Sequence, residues 1–253
     1  MARYDFAAQR LYVNALLAGG ARIELDRGQA NYVRNVLRLS EGAKLLVFNG
    51  TDGEWEASVA TSSRKGVTLA AEKRTRPQDQ PGDLHYLFAP LKQARQDYMI
   101  EKAVEMGASV LRPVFTSRTQ PSRLSAARLR AHAIEAAEQC GILAIPEIAE
   151  PVKLDALLAG WDQRRLLVFC DEEAPVESPI AALEARKRKG ERLPLAVLIG
   201  PEGGFGDRER EALLRQPAVL RLPLGPRILR ADTAAVAGLA LVQAVLGDWE
   251  AKR

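Results

Sequence analysis

From residue 84 onward, short apolar runs alternate with amphipathic stretches. Leu84–Ala89, Val110–Phe115, Leu166–Cys170, Leu195–Ile199 and Val219–Leu222 have the length and continuity of buried strands. Between and after them, Gln93–Met106, Ser125–Gln139, Leu154–Ala159, Ser178–Lys189, Asp207–Arg215 and Asp232–Leu246 carry helical spacing. Gly107 and Gly141 stand where two of these helices should stop, and Pro179 opens a third. Continuous apolar strands alternating with helices predict a mostly parallel sheet covered on both faces. Pro113 interrupts its strand and predicts an edge or a bulge there.

The first 75 residues are patterned differently. Arg10–Leu16, Arg22–Leu25, Lys44–Asn49, Glu54–Ala60 and Gly66–Ala71 read as short strands, and Gly50-Thr51-Asp52-Gly53 reads as a hairpin turn. Gly28–Leu39 has Tyr32, Val33, Val36, Leu37 and Leu39 at helical spacing, which would put Arg34 and Arg38 on one face. Several short strands with one helix predict a small β-barrel. A charged, proline-containing stretch then reads as a linker, giving domains at 1–75 and 84–253 joined by 76–83.

Composition narrows the class without choosing a function. The chain has 253 residues and is 47% hydrophobic and 27% charged, as expected of a globular protein. No apolar run is long enough for a membrane span, and the N-terminus lacks the apolar core of a signal peptide. Cys140 and Cys170 have no metal-type or redox-motif spacing, and His85 and His132 are too few for a histidine metal site. No metal and a cytoplasmic setting are therefore expected. Net charge is +4, which permits a polyanionic partner. Its distribution says more: the stretch from Met106 to Ile134 has no acid and carries Arg112, Arg118, Arg123, Arg128 and Arg130. Arginine suits planar, bidentate contact with phosphate.

Candidate chemistry gathers near the C-terminus. The strand ending at Ile199 runs into Gly200-Pro201-Glu202-Gly203-Gly204-Phe205, and the one ending near Leu224 into Gly225-Pro226-Arg227. Two such loops side by side at the carboxyl edge of one sheet would lie where open α/β sheets bind ligands. The glycines allow close backbone approach, and Phe205 has the shape to cap a planar base. The order G-x-x-G-G-x-G differs from the dinucleotide fingerprint G-x-G-x-x-G, and no Gly-Lys-Ser/Thr follows as in a P-loop.

Ile199–Phe205 and Leu224–Ala234, LGPRILRADTA, resemble the two signature motifs of SPOUT-class RNA methyltransferases. More closely they are similar to the ribosomal RNA small subunit methyltransferase E family. Ile134–Gly141 and Gln93–Gly107 are similar to two further motifs of that family, and Asn31–Leu39 is similar to its basic helix. Asn31, Ser117 and Ile142 depart from the family's usual residues.

The resemblance implies an α/β SPOUT domain with a C-terminal trefoil knot, at about 195–247, and a PUA-like N-terminal β-barrel. It implies S-adenosylmethionine as cofactor, N3 of a 16S rRNA uridine in the small ribosomal subunit as target, and a homodimer. Leu198, Ile199, Gly200, Pro201, Glu202, Gly203, Gly204, Leu222, Leu224, Gly225, Ile228 and Leu229 would hold the donor. Arg230 is the first candidate to stabilise the uracil anion and Arg118 the second. Glu138 and Glu202 are candidate bases. Arg34, Arg38, Arg123, Arg128 and Arg130 are candidates for RNA phosphate contact. The rival readings are a non-catalytic RNA-binding assembly factor, a methyltransferase of another RNA such as transfer RNA, and a nucleotide-dependent oxidoreductase.

Overall fold

The computed structural model describes residues 8–120, 124–176, 178–187 and 191–249. The chain divides into two compact units, one formed by residues 1–80 with Ile134–Ile145 and the other by Pro81–Ala133 with Pro146–Arg253.

The first unit is built on a five-stranded sheet. Its strands are β1 (Arg10–Tyr12), β2 (Arg22–Glu24), β3 (Lys44–Phe48), β4 (Glu54–Ser63) and β5 (Gly66–Arg76), in the order β1-β3-β4-β5-β2. All neighbours are antiparallel except β1 and β3. Strand β4 buries Ala57 and Val59 while turning Ser58 and Ala60 outward, the period-2 pattern of a sheet with one face on a core. Its register with β5 shifts three times, which bends and twists the ribbon. Val33, Val47, Val59, Val67 and Leu69 meet in the core beneath it.

The helix expected over Gly28–Leu39 is only partly regular. Asp26 caps α1 (Arg27–Asn31) by accepting from the Gln29 N–H at 2.9 Å, and Gln29 answers the Asp26 backbone, a reciprocal capping box. Tyr32–Val36 then widens to π-helical bonding, and Arg38 takes φ +54°. The widened turn buries Val33 and leaves Val36 61% exposed, so the even helical face expected from spacing does not form. Arg34 lies within the widened turn and Arg38 beyond its end, so the regular helical spacing expected between them is not kept.

The second unit carries the expected parallel sheet. Its strands are β6 (Leu84–Phe88), β7 (Val110–Phe115), β8 (Glu147–Ile148), β9 (Val152–Lys153), β10 (Leu166–Cys170), β11 (Leu195–Ile199) and β12 (Val219–Leu222). Their order is β12-β10-β11-β6-β7-β8, with β9 also pairing β7. Every pair is parallel. Leu195–Ile199 is buried at all five positions, as an inner strand covered on both faces must be. The helices are α2 (Gln93–Glu105), α3 (Ala126–Cys140), α4 (Leu154–Ala159), α5 (Pro179–Glu184), α6 (Asp207–Leu214) and α7 (Ala231–Val245). Helix α5 stops earlier than expected, and part of the basic run after it, residues 188–190, lies outside the described residues.

Pro113 corrects an expectation. Strand β7 is not an edge: β6 pairs along one side, and on the other β8 pairs Val110–Leu111 and β9 pairs Val114–Phe115. The proline, which has no N–H to donate, falls where this neighbouring strand is broken.

Candidate functional site

Because all strands of the second unit run the same way, their following loops emerge at one edge. These loops are 89–92 after β6, 116–120 after β7, 171–176 after β10, 200–206 after β11 and 223–230 after β12. The two Gly-Pro loops share this edge, as expected. However, they do not follow adjacent strands, because β10 lies between β11 and β12 and its loop separates them. Sequence order could not reveal this, since β10 precedes both.

Loop 200–206 turns on Gly204 at φ +68°, and its N–H donates to the Pro201 carbonyl at 2.9 Å. Gly200 is required by packing rather than by conformation. A Cβ there would lie 2.6 Å from the Phe205 ring. Phe205 thus turns toward the body of its unit rather than standing free in the loop. Its half-buried ring packs edge-on against Phe169 with centroids 5.1 Å apart, against the apolar cluster that includes Leu198 and Leu213. A large aromatic next to available apolar surface gains more from burial than from waiting in water.

The acid-free arginine stretch reaches this loop through Arg118. Its guanidinium donates to the Gly203 carbonyl at 2.9 Å, and its side chain lies against the Gly203 backbone. Glu209 of α6 accepts from the Ser117 N–H at 2.6 Å, from the Ser117 hydroxyl and from the Gly206 N–H. One carboxylate thus joins loop 116–120 to the end of loop 200–206. Glu202 is exposed and pairs with Arg95 of α2 at 3.0 Å. Arg95 was not singled out in the sequence; its place in the first turn of a helix beginning at the same sheet edge was the available signal.

Loop 223–230 presents its backbone openly. Gly225 has φ +101° with open space where a Cβ would stand, and Ile228 is 88% exposed. Arg230 caps the start of α7 through its backbone and is exposed. Among the described residues its side chain pairs with neither Asp232, which accepts from the Thr233 N–H, nor Glu202. The loop positions expected to hold the donor differ in what they offer. Gly200, Gly204, Leu224 and Leu229 are half-buried, while Glu202, Gly203, Gly225 and Ile228 are exposed. Leu198, Ile199, Pro201 and Leu222 are buried. The Ile199 and Leu222 carbonyls already accept from the Ala89 and Asp171 N–H groups.

Glu138, Arg128, Arg34, Arg38, Arg130 and Arg123 are the remaining candidates. Glu138 belongs to the first unit, where it accepts from the Tyr12 N–H at 2.8 Å. Burial raises its carboxyl above the usual range, the Tyr12 hydrogen bond opposes this, and nearby Glu135 adds to the rise. Arg128 donates through Nε and Nη2 to the buried Asp97 at 3.1 and 2.6 Å, and these bonds hold Asp97 below the ordinary aspartate range. Arg34 donates to the Ser63 carbonyl at 2.7 Å. Arg38 and Arg130 are exposed, and Arg123 lies outside the described residues.

Asp171 was not apparent from sequence. It is 3% exposed at the end of β10 and bound by Arg210 and Arg221. The exposed neighbours Glu172 and Glu173 made the run look like an ordinary solvated loop.

No helix of the described residues is long and apolar enough to cross a membrane. Comparison with known proteins accounts for nearly the whole chain. Residues 78–243 match the family described as RNA methyltransferase domain, and residues 25–72 match the RNA methyltransferase PUA domain. The chain is 29% identical to ribosomal RNA small subunit methyltransferase E of Rickettsia conorii, across 92% of this chain and 94% of that one. It is 26% identical to the Bacillus subtilis protein of the same name, across 85% and 86%. Among solved structures, a Legionella pneumophila methyltransferase in complex with the cofactor SAM is 28% identical, with a TM-score of 0.80 over 94% of this chain and 97% of that one. A Neisseria gonorrhoeae ribosomal RNA small subunit methyltransferase E shares the fold, with a TM-score of 0.81 at 21% identity over 96% of this chain and 99% of that one. The chain therefore belongs to the RNA methyltransferase domain family, and within it resembles the ribosomal RNA small subunit methyltransferase E group almost end to end.

Proposed function

We propose that this protein transfers a methyl group from S-adenosylmethionine to N3 of a uridine in the 16S RNA of the small ribosomal subunit. The observation that carries the proposal is the pair of glycine loops opening at one edge of a parallel sheet. The relatives add weight, since they match nearly the full chain and are named for ribosomal RNA methylation. Gly204 and Gly225 leave open space where a side chain would stand, so a ligand can approach the backbone there, which fits a nucleoside held through its polar edges. The donor supplies an activated methyl on a sulfonium; the protein must align the acceptor nitrogen in line with it.

In the reaction a bond forms from uracil N3 to the methyl carbon as the sulfur–methyl bond breaks. The N3 proton passes to water, and the departing donor becomes a neutral thioether. Arg230 is the group assigned to the developing uracil anion. It is exposed at the second loop and is not committed to either nearby acid. Arg118 stands on the first loop and is assigned to the same anion or to a flanking phosphate. Glu202 and Glu138 are engaged by Arg95 and by the Tyr12 N–H, so neither takes the role of general base. The N-terminal unit would bind RNA, with Arg34 and Arg38 in phosphate contact, and Arg128 and Arg130 of the second unit are assigned phosphate contact of their own. The C-terminal segment 195–247 would form the trefoil knot, and α7 would pack in a homodimer, a role suited to its half-buried Val236, Ala237, Ala240 and Leu241. Action on ribosomal RNA would place the protein in the cytoplasm.

Titration calorimetry with S-adenosylmethionine, with NADH as control, tests the donor site. Nucleoside mass spectrometry of 16S RNA after incubation tests the product. Arg230→Ala should lower turnover by about a hundredfold or more while donor affinity stays within about twofold. Donor binding with no methylated uridine in any small-subunit RNA would leave a binding factor, and wild-type turnover in the variant would remove Arg230 from the chemistry.

A further inference from the structure

We infer that Asp171 is a positioning residue that fixes the spacing between the two glycine loops; this rests on the donor site proposed above. Its carboxylate is buried at the end of β10, the strand that separates β11 from β12. Oδ1 accepts from Arg210 Nη1 at 2.6 Å, and Oδ2 accepts from Arg210 Nη2 at 3.0 Å and from Arg221 Nε at 2.6 Å. Oδ1 also takes the Glu173 N–H at 3.1 Å, which folds loop 171–176 back on its own strand.

The two arginines belong to the segments that frame the two loops. Arg210 sits in the first turn of α6, and its N–H donates to the carbonyl of Gly206, the residue that closes the first loop. Arg221 lies in β12, four residues before Gly225 of the second loop. Arg221 Nη2 further donates to the Glu173 carbonyl at 2.6 Å, and Glu173 itself pairs with Arg210 at 2.9 Å. One buried anion therefore clamps the element leaving the first loop and the element entering the second to the strand between them. A bidentate arginine contact fixes direction as well as distance. Losing the charge would leave Arg221 without its carboxylate and Arg210 with only that of the exposed Glu173, and the hold on the elements carrying them would loosen. A donor that must touch both loops depends on that separation.

The test uses the full chain and the variant Asp171→Asn, which keeps the size and loses the charge. Hydrogen–deuterium exchange without ligand is read first. Exchange in 200–206 and in 223–230 should rise together by about tenfold, with 89–92 unchanged. Exchange at the wild-type rate in either glycine loop overturns the inference. Calorimetry with S-adenosylmethionine is read second: the dissociation constant should rise by about tenfold or more, and Asp171→Glu should recover part of the loss. Affinity within about twofold of wild type in folded Asp171→Asn also overturns it. Should the wild type itself not bind the donor, the proposed function falls, and the exchange arm still decides the role of Asp171. If Asp171→Asn does not fold, Arg221→Lys, which keeps charge but loses the fork, must show the same paired exchange; wild-type exchange there overturns the inference.

Discussion

Glu54 in the first unit and Asp171 in the second are each buried carboxylates held by two arginines, yet they have different neighbours. Glu54 opens β4 and joins Arg10 of β1 at 3.1 Å to Arg76 at the end of β5, with Thr75 adding a hydroxyl. Arg76 also donates to the Gly141 carbonyl, which ties the end of α3 to the sheet. Everything it touches is framework. Asp171 touches the helix that leaves the first glycine loop and the strand that enters the second. The same ionic chemistry can therefore hold a fold in one place and set a site in another, and what decides is which segments the partners lie on.

The widest separation between the two nodes should appear in Glu54→Ala. Leaving Arg10 and Arg76 without their anion should cost about 3–5 kcal/mol in the urea denaturation of the full chain. Donor affinity of the folded fraction should stay within about twofold. If the variant weakens donor binding as much as Asp171→Asn does, the distinction between framework and site is lost.

A second contrast lies within one loop. Gly200→Ala must push the Phe205 ring or the backbone aside, at a cost of about 1–3 kcal/mol, and it should weaken donor binding. Gly204→Ala has open space and pays only for φ +68°, about 1–2 kcal/mol. Thermal unfolding and calorimetry of both variants separate crowding from strain. Equal loss of donor affinity would show that loop packing under Phe205 is irrelevant to the site.

Acid titration sharpens the role of Glu54 further. Burial pushes its carboxyl up, but hydrogen bonds from Arg76 and Thr75 and the charges of Arg76 and Arg10 outweigh this and hold it below the ordinary value. A folded value below the unfolded one means that its stabilisation is present above the unfolded value of 4.5 and is lost as pH falls through the lowered one. Unfolding measured from pH 6 downward should therefore lose stability through that window, and Glu54→Gln should flatten the loss. An unchanged slope would show that other carboxylates control acid unfolding.

The parallel sheet was legible because buried inner strands must be continuously apolar; Leu195–Ile199 and Leu166–Cys170 could hardly be anything else. The glycine loops were legible because glycine and proline at the end of an apolar run mark where a strand must stop and turn. Four features were hidden. The position of β10 between β11 and β12 depends on strand order, which local pattern does not encode. The π-helical turn at Tyr32–Val36 keeps helical spacing in sequence while changing which side chain is buried. Phe205 carries no local sign that its ring turns inward; the reason lies at Gly200, where only the absence of a side chain admits the ring. The Asp171 node was hidden for a related reason: Arg210 and Arg221 are 39 and 50 residues away.

The smallest effect is expected at Glu138, and it tests whether the first unit contributes to the chemistry at all. Its carboxyl is raised by burial and by Glu135 against the Tyr12 N–H. A folded value above the unfolded one means that its stabilisation is present below the unfolded value and lost as pH rises through the folded one. Above the folded value the ionised group is thus a cost. Glu138→Gln removes that charge and keeps an oxygen for the Tyr12 N–H, so stability at pH 7 should stay within about 0.5 kcal/mol of wild type or rise slightly. Turnover on 16S RNA should remain within about threefold, because the N3 proton is assigned to water and the uracil anion to Arg230. A collapse of turnover with fold and donor affinity intact would make Glu138 the general base, and the division between a framework unit and a reacting unit would have to be redrawn around α3.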